Sequence, residues 1–244
     1  MAMTTLRTAS NALGFYAARR AASASAAAAW LLPAFDMAVN AFLLFRVASM
    51  IGFDRVVEEL WSPSTYVGSF GASDEARHMR LETAWYLGAS LSHLHALLLQ
   101  DSSASSNDQT MLVHHAIALA LTRLCLATGH PRMGVLMFLF MTPSNVLLHL
   151  AKALHKLGFA LPAKAAFACF AAVFFALRLV AFPAVYVAAV ATVGARVMPA
   201  DLTAAYLPLM LSIVALQLKW TPPIVRVLLL RPGEAATTRA PRDP

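Results

Sequence analysis

Six long apolar stretches limit what this chain can fold into. They cover residues 27–52, 83–99, 111–128, 133–153, 162–195 and 203–230. A helix needs about 20 residues to cross a hydrocarbon layer about 30 Å thick, and each stretch is close to that length or longer. Only helices and closed barrels satisfy the backbone in lipid, and the period-two alternation of barrel strands is missing. The sequence therefore predicts an all-α membrane protein with about six transmembrane helices.

The composition agrees with a membrane protein and argues against other classes. Hydrophobic residues make up 59% of the chain and charged residues 13%, whereas about a quarter of a soluble domain is charged. The net charge is +7, but the basic residues lie mainly in short connections and tails, where they set membrane orientation. We therefore expect no nucleic-acid partner. Cys125 and Cys169 have no CxxC spacing, so no metal knuckle or disulfide framework is indicated.

Polar segments divide the chain into three parts. Residues 1–26 are basic and rich in Ala and Ser, as in a mitochondrial targeting segment or a basic helix lying on a membrane surface. Residues 27–230 form the predicted transmembrane domain, interrupted by an acidic loop at 54–82 in which we expect a short helix. A polar tail follows at 231–244, and the linker 101–108 is predicted to be a solvated turn.

The distribution of charge predicts a topology with both termini on the side opposite the acidic loop. The basic residues assigned to that side include Arg7, Arg19, Arg20, Lys152, Lys156, Lys164 and Arg226. The positive-inside rule makes this side the cytosol, or the matrix if the membrane is mitochondrial.

Prolines predict irregularities in the last two apolar stretches. Pro183 removes a backbone donor and is expected to kink the fifth stretch. Pro222 and Pro223 predict that the sixth stretch bends or ends near Trp220.

Histidines are predicted to lie at one depth of the membrane. With the topology above, three helices bring five imidazoles to a similar level: His93, His95, His114, His115 and His149. They are explained equally by hydrogen bonds within the bundle or by an interfacial position. A di-iron centre needs more histidines and carboxylates, whereas a bis-histidine haem remains a geometric alternative. We predict no metal site and no cofactor.

Three sequence blocks around these histidines form an ordered set of motifs. They read HHAIALALTRLCLATGHPRMG from His114, FMTPSNVLLHLAK from Phe140 and VFFALRLVAFP from Val173. The His pair, the Arg-x-Gly at Arg132, the lysine at Lys152 and the Phe-Phe-x-x-Arg ending at Arg178 resemble the TLC-domain family, which includes the ceramide synthases. The resemblance covers about residues 83–225 and implies a TLC-like helical bundle.

The chain departs from this family pattern at its acidic positions. Thr142 and Asn145 stand where the family has two aspartates, and His149 stands where it has glutamate. In an acyltransferase, the pair His114 and His115 would deprotonate an amine or alcohol, while the acids would orient the imidazoles. Without those acids we expect no catalysis. The alternative is a ceramide-synthase-like, acyl-CoA-dependent N-acyltransferase with this pair at its reaction centre.

A polar cavity without acids is expected to hold an anionic lipid. The predicted lipid-binding residues are Arg178, Lys152, His114, His115, His149 and Asn145. Their charge favours a phospholipid head group, although Arg178 would equally be explained by snorkelling to the interface. Asp36 is an acid within an apolar stretch, and it is expected to pair with Arg123 or Arg178. Otherwise these two arginines are expected to pair with backbone carbonyls, water or a lipid phosphate.

The functional expectation is therefore a non-catalytic, TLC-like accessory subunit of a larger membrane complex, with membrane lipids and other membrane-protein subunits as partners. The targeting-like N-terminus favours the mitochondrial inner membrane, in a respiratory or ATP synthase assembly, over the endoplasmic reticulum. A transporter or lipid-sensing protein of the endoplasmic reticulum is a third interpretation.

Overall fold

The structure, a computed structural model, is a bundle of helices. It describes residues 2–24, 28–68, 73–98 and 106–229, and these ranges contain no strand. The helices are α1 (Ala2–Ser23), α2 (Leu31–Ile51), α3 (Val56–Trp61), α4 (Asp74–Leu98), α5 (Ser106–Ala127), α6 (Pro131–Lys156), α7 (Ala160–Val197) and α8 (Ala200–Leu229). A 3₁₀ turn, Pro63–Tyr66, follows α3. The predicted all-α membrane fold is confirmed.

Each of the six predicted apolar stretches corresponds to a helix of the bundle. Within the described residues, five helices are long and apolar enough to cross a membrane, namely α2, α5 from Gln109 onward, α6, α7 and α8. The second stretch belongs to α4, whose N-terminal part is charged and lowers its hydropathy. This helix nevertheless packs between α1, α5 and α6, so it is part of the bundle.

Helix α6 is at the centre of the bundle. It contacts α2, α4, α5 and α7, and its side chains Met133, Leu136 and Phe138 are buried. A Cβ on Gly134 would lie 2.4 Å from Cε of Met79 on α4. The glycine of the Arg-x-Gly motif therefore lets neighbouring helices approach α6 closely, as small residues do in membrane bundles.

The N-terminal helix α1 packs lengthwise against α4 and also contacts α2. A Cβ on Gly88 of α4 would lie 2.8 Å from the carbonyl oxygen of Ala12 and 2.9 Å from Cβ of Phe15. Further along both helices, the Tyr16 hydroxyl lies 3.2 Å from Nδ1 of His95. Residues 2–23 therefore run parallel to α4.

This packing changes the predicted topology. Because α1 and α4 are parallel, Arg7 lies at the end of the bundle where α4 begins, near Arg77 and Arg80. The assignment of Arg7 to the opposite end, with Lys152, is therefore wrong. The sequence could not show this, because the low hydropathy of α1 conceals its position beside α2 and α4.

Prolines lie inside the last two helices without ending them. In α7 the backbone changes from α-helix to π-helix at Phe174–Val187 and again at Val190–Gly194, and the wider turns accommodate Pro183 without ending the helix. Helix α8 continues through Pro222 and Pro223 to Leu229, so an end near Trp220 is wrong. Pro222 and Pro223 remove the backbone donors to the carbonyls of Leu218 and Lys219, and membrane helices tolerate such losses without ending.

The acidic loop is shorter than predicted. Residues 54–73 hold α3 and the 3₁₀ turn, whereas Asp74 to Glu82 form the first turns of α4. The short helix expected in this loop is α3. Of the linker 101–108, residues 106–108 are the start of α5 and the rest lies outside the described residues, as does the tail 231–244.

Candidate functional site

A chain of side-chain hydrogen bonds connects α7, α6 and α2 inside the bundle. Arg178 of α7 donates through Nη2 to the Oδ1 of Asn145 and to the backbone carbonyl of Met141, both on α6. Asn145 donates to Oδ1 of Asn40 at 3.2 Å, and Asn40 donates to the Asp36 carbonyl at 2.7 Å. We call these residues and their ionic partners the polar layer. It links three helices in a medium where unpaired polar groups are costly.

Asp36 supplies a buried carboxylate at one end of this layer. Its Oδ1 forms an ion pair with Arg19 of α1, and its Oδ2 lies 3.7 Å from Nδ1 of His149. Lys152 is exposed and interacts electrostatically with Asp36. The expected choice of partner for Asp36 is thus resolved: it pairs with Arg19, and not with Arg123 or Arg178.

Arg178 is buried without an ionic partner in the described part of the chain. Its residue exposure is 5%, so it does not snorkel to the interface. Its bonded partners, Asn145 and the Met141 carbonyl, are neutral, and its Nε has no hydrogen-bond partner. The guanidinium also lies over the Phe174 ring, 5.6 Å from the centroid. Its positive charge is therefore balanced by dipoles and a π system alone.

The histidine pair lies in an aromatic environment beside this layer. The rings of His114 and His115 are both buried, with centroids 5.7 Å apart. His114 packs on Trp220 at 5.2 Å, and His115 packs on Tyr86 at 5.4 Å. Neither Nδ1 atom has a hydrogen-bond partner among the described residues, so nothing there orients the imidazoles as a catalytic acid would.

The predicted histidine layer is only partly present. His93 joins the pair, with its ring 5.3 Å from that of His115. His95 instead faces Tyr16 of α1, and His149 faces Asp36. In the described ranges no three His, Cys, Asp or Glu side chains are arranged to hold a metal ion.

The six predicted lipid-binding residues thus form two groups. One group is Arg178 with Asn145 and, nearby, the histidine pair, since Arg178 interacts electrostatically with His114. The other is His149 and Lys152 around Asp36. The hydrogen bond from Asn145 to Asn40 connects the two groups.

A buried acid and histidine on α4 were missed by the sequence reasoning. Nε2 of His78 lies 3.3 Å from Oε1 of Glu82, and both side chains are inaccessible. Tyr86 follows one turn later on the same face and contacts the histidine pair. The i, i+4 spacing of these three residues was the available signal, but it was hidden because Glu82 was assigned to a loop.

The arginine of the Arg-x-Gly motif has a structural role outside the polar layer. Arg132 donates to Glu59 of α3 at 3.0 Å and to Glu75 of α4 at 2.9 Å. The hydrogen bond from Arg132 holds the pKa of the Glu59 carboxyl below its ordinary value, more strongly than burial raises it. The motif therefore ties the loop 54–73 and the start of α4 to α6.

Comparison with known proteins tests the resemblance noted in the sequence. The family model for the TLC domain matches residues 61–226, which is more than half of the chain. The chain belongs to the TLC-domain family. A search of curated proteins found no significant match. The TLC domain thus includes α4 to α8, and the polar layer draws Arg19, Asp36 and Asn40 from the two helices that precede the matched region.

Proposed function

We propose that this TLC-domain protein binds the anionic head group of a membrane lipid in its polar layer and acts as a non-catalytic accessory subunit of a membrane complex. The observation that supports this most directly is Arg178, buried with neutral hydrogen-bond partners. The TLC family is lipid-related, which agrees with a lipid as the ligand.

The energetics of Arg178 favour an anionic ligand. A buried cation without a counter-ion costs several kcal/mol in a protein interior or a membrane. A phosphate group accepts two parallel hydrogen bonds from one guanidinium, so it would offset this cost with suitable geometry. Lys152 is exposed at the Asp36 end of the layer and would attract the same negatively charged head group.

The same geometry argues against acyl transfer. No carboxylate of the described chain forms a hydrogen bond or ion pair with His114 or His115. Thr142, Asn145 and His149 occupy the positions where the family resemblance implies acids. The histidine pair is therefore interpreted as packing against Tyr86 and Trp220.

The lipid proposal is tested by native mass spectrometry of the protein released from membranes in mild detergent. We expect the wild type to retain anionic phospholipid and Arg178→Met to retain about tenfold less, equivalent to about 1.4 kcal/mol. Arg178→Lys should retain an intermediate amount because it keeps the charge. The control is Arg123→Met, an exposed arginine on α5. A wild type without lipid, or equal retention in Arg178→Met, would contradict the proposal.

The accessory role is a separate part of the proposal. It rests on the targeting-like composition of residues 1–26, which favours the mitochondrial inner membrane over the endoplasmic reticulum. Blue-native electrophoresis of mildly solubilised membranes should place the protein in a high-mass complex, in a respiratory or ATP synthase assembly. A monomeric band in endoplasmic-reticulum membranes would contradict this role.

The alternative is a ceramide-synthase-like, acyl-CoA-dependent N-acyltransferase, favoured by the buried Glu82. This carboxylate lies one helical turn from Tyr86, which contacts both His114 and His115. An enzyme predicts that purified wild type acylates an amphipathic amine and that His114→Ala abolishes the reaction. A subunit predicts no acylation by either form and unchanged assembly of the variant.

A further inference from the structure

A second concentration of positive charge lies outside the polar layer. At the end of the bundle where α4 begins, α1, α2 and α4 line a partly open cavity of about 490 Å³. We call it the four-arginine pocket, and its lining residues are Arg7, Thr8, Asn11, Arg46, Arg77, Arg80 and Leu81. Its volume lies in the range of about 300–1,000 Å³ found for ligand pockets.

The positive charge of this pocket is mostly uncompensated. Arg77 forms an exposed ion pair with Asp74 at 3.5 Å. No carboxylate of the described residues pairs with Arg7, Arg46 or Arg80. Four arginines thus line one cavity, and its described lining residues include no Asp or Glu. Like charges so arranged repel one another unless an anion is bound.

Among the arginines of the pocket, Arg46 has the environment that most favours an anion. It lies within the apolar helix α2, and its buried Nε has no hydrogen-bond partner. Its guanidinium lies 6.0 Å from the centre of the Phe42 ring, which is a weak substitute for a counter-ion. Placing an unpaired arginine side chain in an apolar helix costs free energy, and a bound anion would offset that cost.

The pocket is lined both by residues of the matched TLC domain and by residues that precede it. Arg77 and Arg80 belong to the region matched by the TLC-domain model, residues 61–226, whereas Arg7 and Arg46 precede it. The pocket is therefore completed by two N-terminal helices that precede the matched region, and it is independent of the lipid proposed at Arg178.

We infer that the four-arginine pocket binds a phosphate-bearing anion with two or more negative charges. Guanidinium groups bind phosphate oxygens through paired hydrogen bonds, and several together match an anion with more than one charge. Two sources have this chemistry: a lipid head group with two phosphates, or a soluble diphosphate compound. Basic pockets between membrane helices bind lipids of the first kind.

The experiment uses the full chain and has one arm for each source. In the first, pyrophosphate is titrated into detergent-purified protein by calorimetry at constant ionic strength. In the second, the unfolding midpoint is measured in phosphatidylcholine nanodiscs with and without cardiolipin. The pocket variant is R46Q/R80Q, and the matched control is R20Q/R196Q, which removes two exposed arginines elsewhere.

The pocket variant should bind pyrophosphate about tenfold more weakly or lose the cardiolipin-dependent rise in the midpoint, while the control behaves as wild type. An effect in the first arm alone identifies a soluble ligand, and an effect in the second identifies a lipid. Arg7→Gln changes an exposed side chain and should weaken binding to a smaller degree even if the double variant does not fold. Wild type that binds neither probe, or pocket variants that bind both probes as well as wild type does, would overturn the inference.

Discussion

Arg132 connects three segments at one end of the bundle through two acidic partners. It forms ion pairs with Glu59 at 2.8 Å and Glu75 at 2.9 Å, and its side chain is 35% exposed. Partly exposed ion pairs contribute less than buried ones, so Arg132→Gln should lower the free energy of unfolding by about 1–2 kcal/mol at neutral pH. The control is Arg55→Gln, whose more exposed contacts to Glu58 and Glu59 are 4.0 and 3.8 Å long. It should have a smaller effect.

The effect of Arg132 should depend on pH with a defined sign. Folding lowers the pKa of Glu59 from its ordinary value of 4.5. Its contribution is therefore complete above about pH 4.5 and is lost as the pH falls through the lower, folded-state pKa. Thermal unfolding of wild type and Arg132→Gln should converge in acid and differ most at neutral pH. A difference that is constant across this range would contradict the assignment.

Sequence reasoning found some residues of the polar layer but not their partners. Arg178 and Asn145 could be named because they fall within motifs that resemble a family. The ion pair between Arg19 and Asp36 could not be predicted, because it requires α1 to lie against α2. Glu82 was missed for a similar reason: its environment depends on where α4 begins.

At the scale of elements, the contact between α1 and α4 depends on a close backbone approach at Gly88. A Cβ there would lie 2.8 Å from a backbone oxygen of α1, which cannot move alone. Gly88→Ala should therefore destabilise the protein by about 1–3 kcal/mol through overpacking. Gly14→Ala is the matched control, since its Cβ would meet nothing within 4 Å, and it should stabilise the helix by about 0.5–1 kcal/mol.

Both glycine variants can be compared by denaturant titration and by proteolysis of α1. Gly88→Ala should make residues 2–23 more sensitive to protease, whereas Gly14→Ala should not. Equal stability and equal cleavage of the two variants would show that α1 does not pack on α4 as described.

The helices with long apolar stretches were predicted well from the sequence. The position of the more polar helix α1 and the end of the proline-containing helix α8 were predicted poorly. Each of the six apolar stretches corresponds to a helix because lipid requires internal backbone hydrogen bonds. Helix α1 was not recognised as part of the bundle, since its mean hydropathy is low and its packing depends on single contacts such as Ala12 with Gly88 and Phe15 with Trp85. Helix α8 continues through its prolines to Leu229, so of the two predicted outcomes, a bend or an end near Trp220, the end was wrong.

At the scale of the whole molecule, the structure predicts the side on which the N-terminal helix begins. A cysteine placed at Leu6, which is exposed, should react with a membrane-impermeant maleimide from the same side as one at Asp54. A cysteine at Lys156 should react from the other side. The background variant replaces Cys125 and the exposed Cys169. Labelling of positions 6 and 156 from one side would contradict the parallel packing of α1 and α4.

Positive charge is concentrated in two regions of the described structure where acidic side chains do not balance it. One is the polar layer around Arg178, where the acid Asp36 is already paired with Arg19. The other is the four-arginine pocket at the end of the bundle where α1 and α4 begin. We interpret the TLC bundle as a scaffold that presents cations, buried at Arg178 and more exposed in the four-arginine pocket, to anionic ligands.

The central claim, that Arg178 is left for an anionic lipid, is tested most directly by returning an acid to its partner position. Asn145→Asp would give Arg178 an internal counter-ion, whereas Gln109→Glu makes the same amide-to-acid change at an exposed site. Native mass spectrometry should show about tenfold less retained anionic phospholipid in Asn145→Asp, about 1.4 kcal/mol, and wild-type retention in Gln109→Glu. Equal lipid retention in both variants and the wild type would contradict the claim.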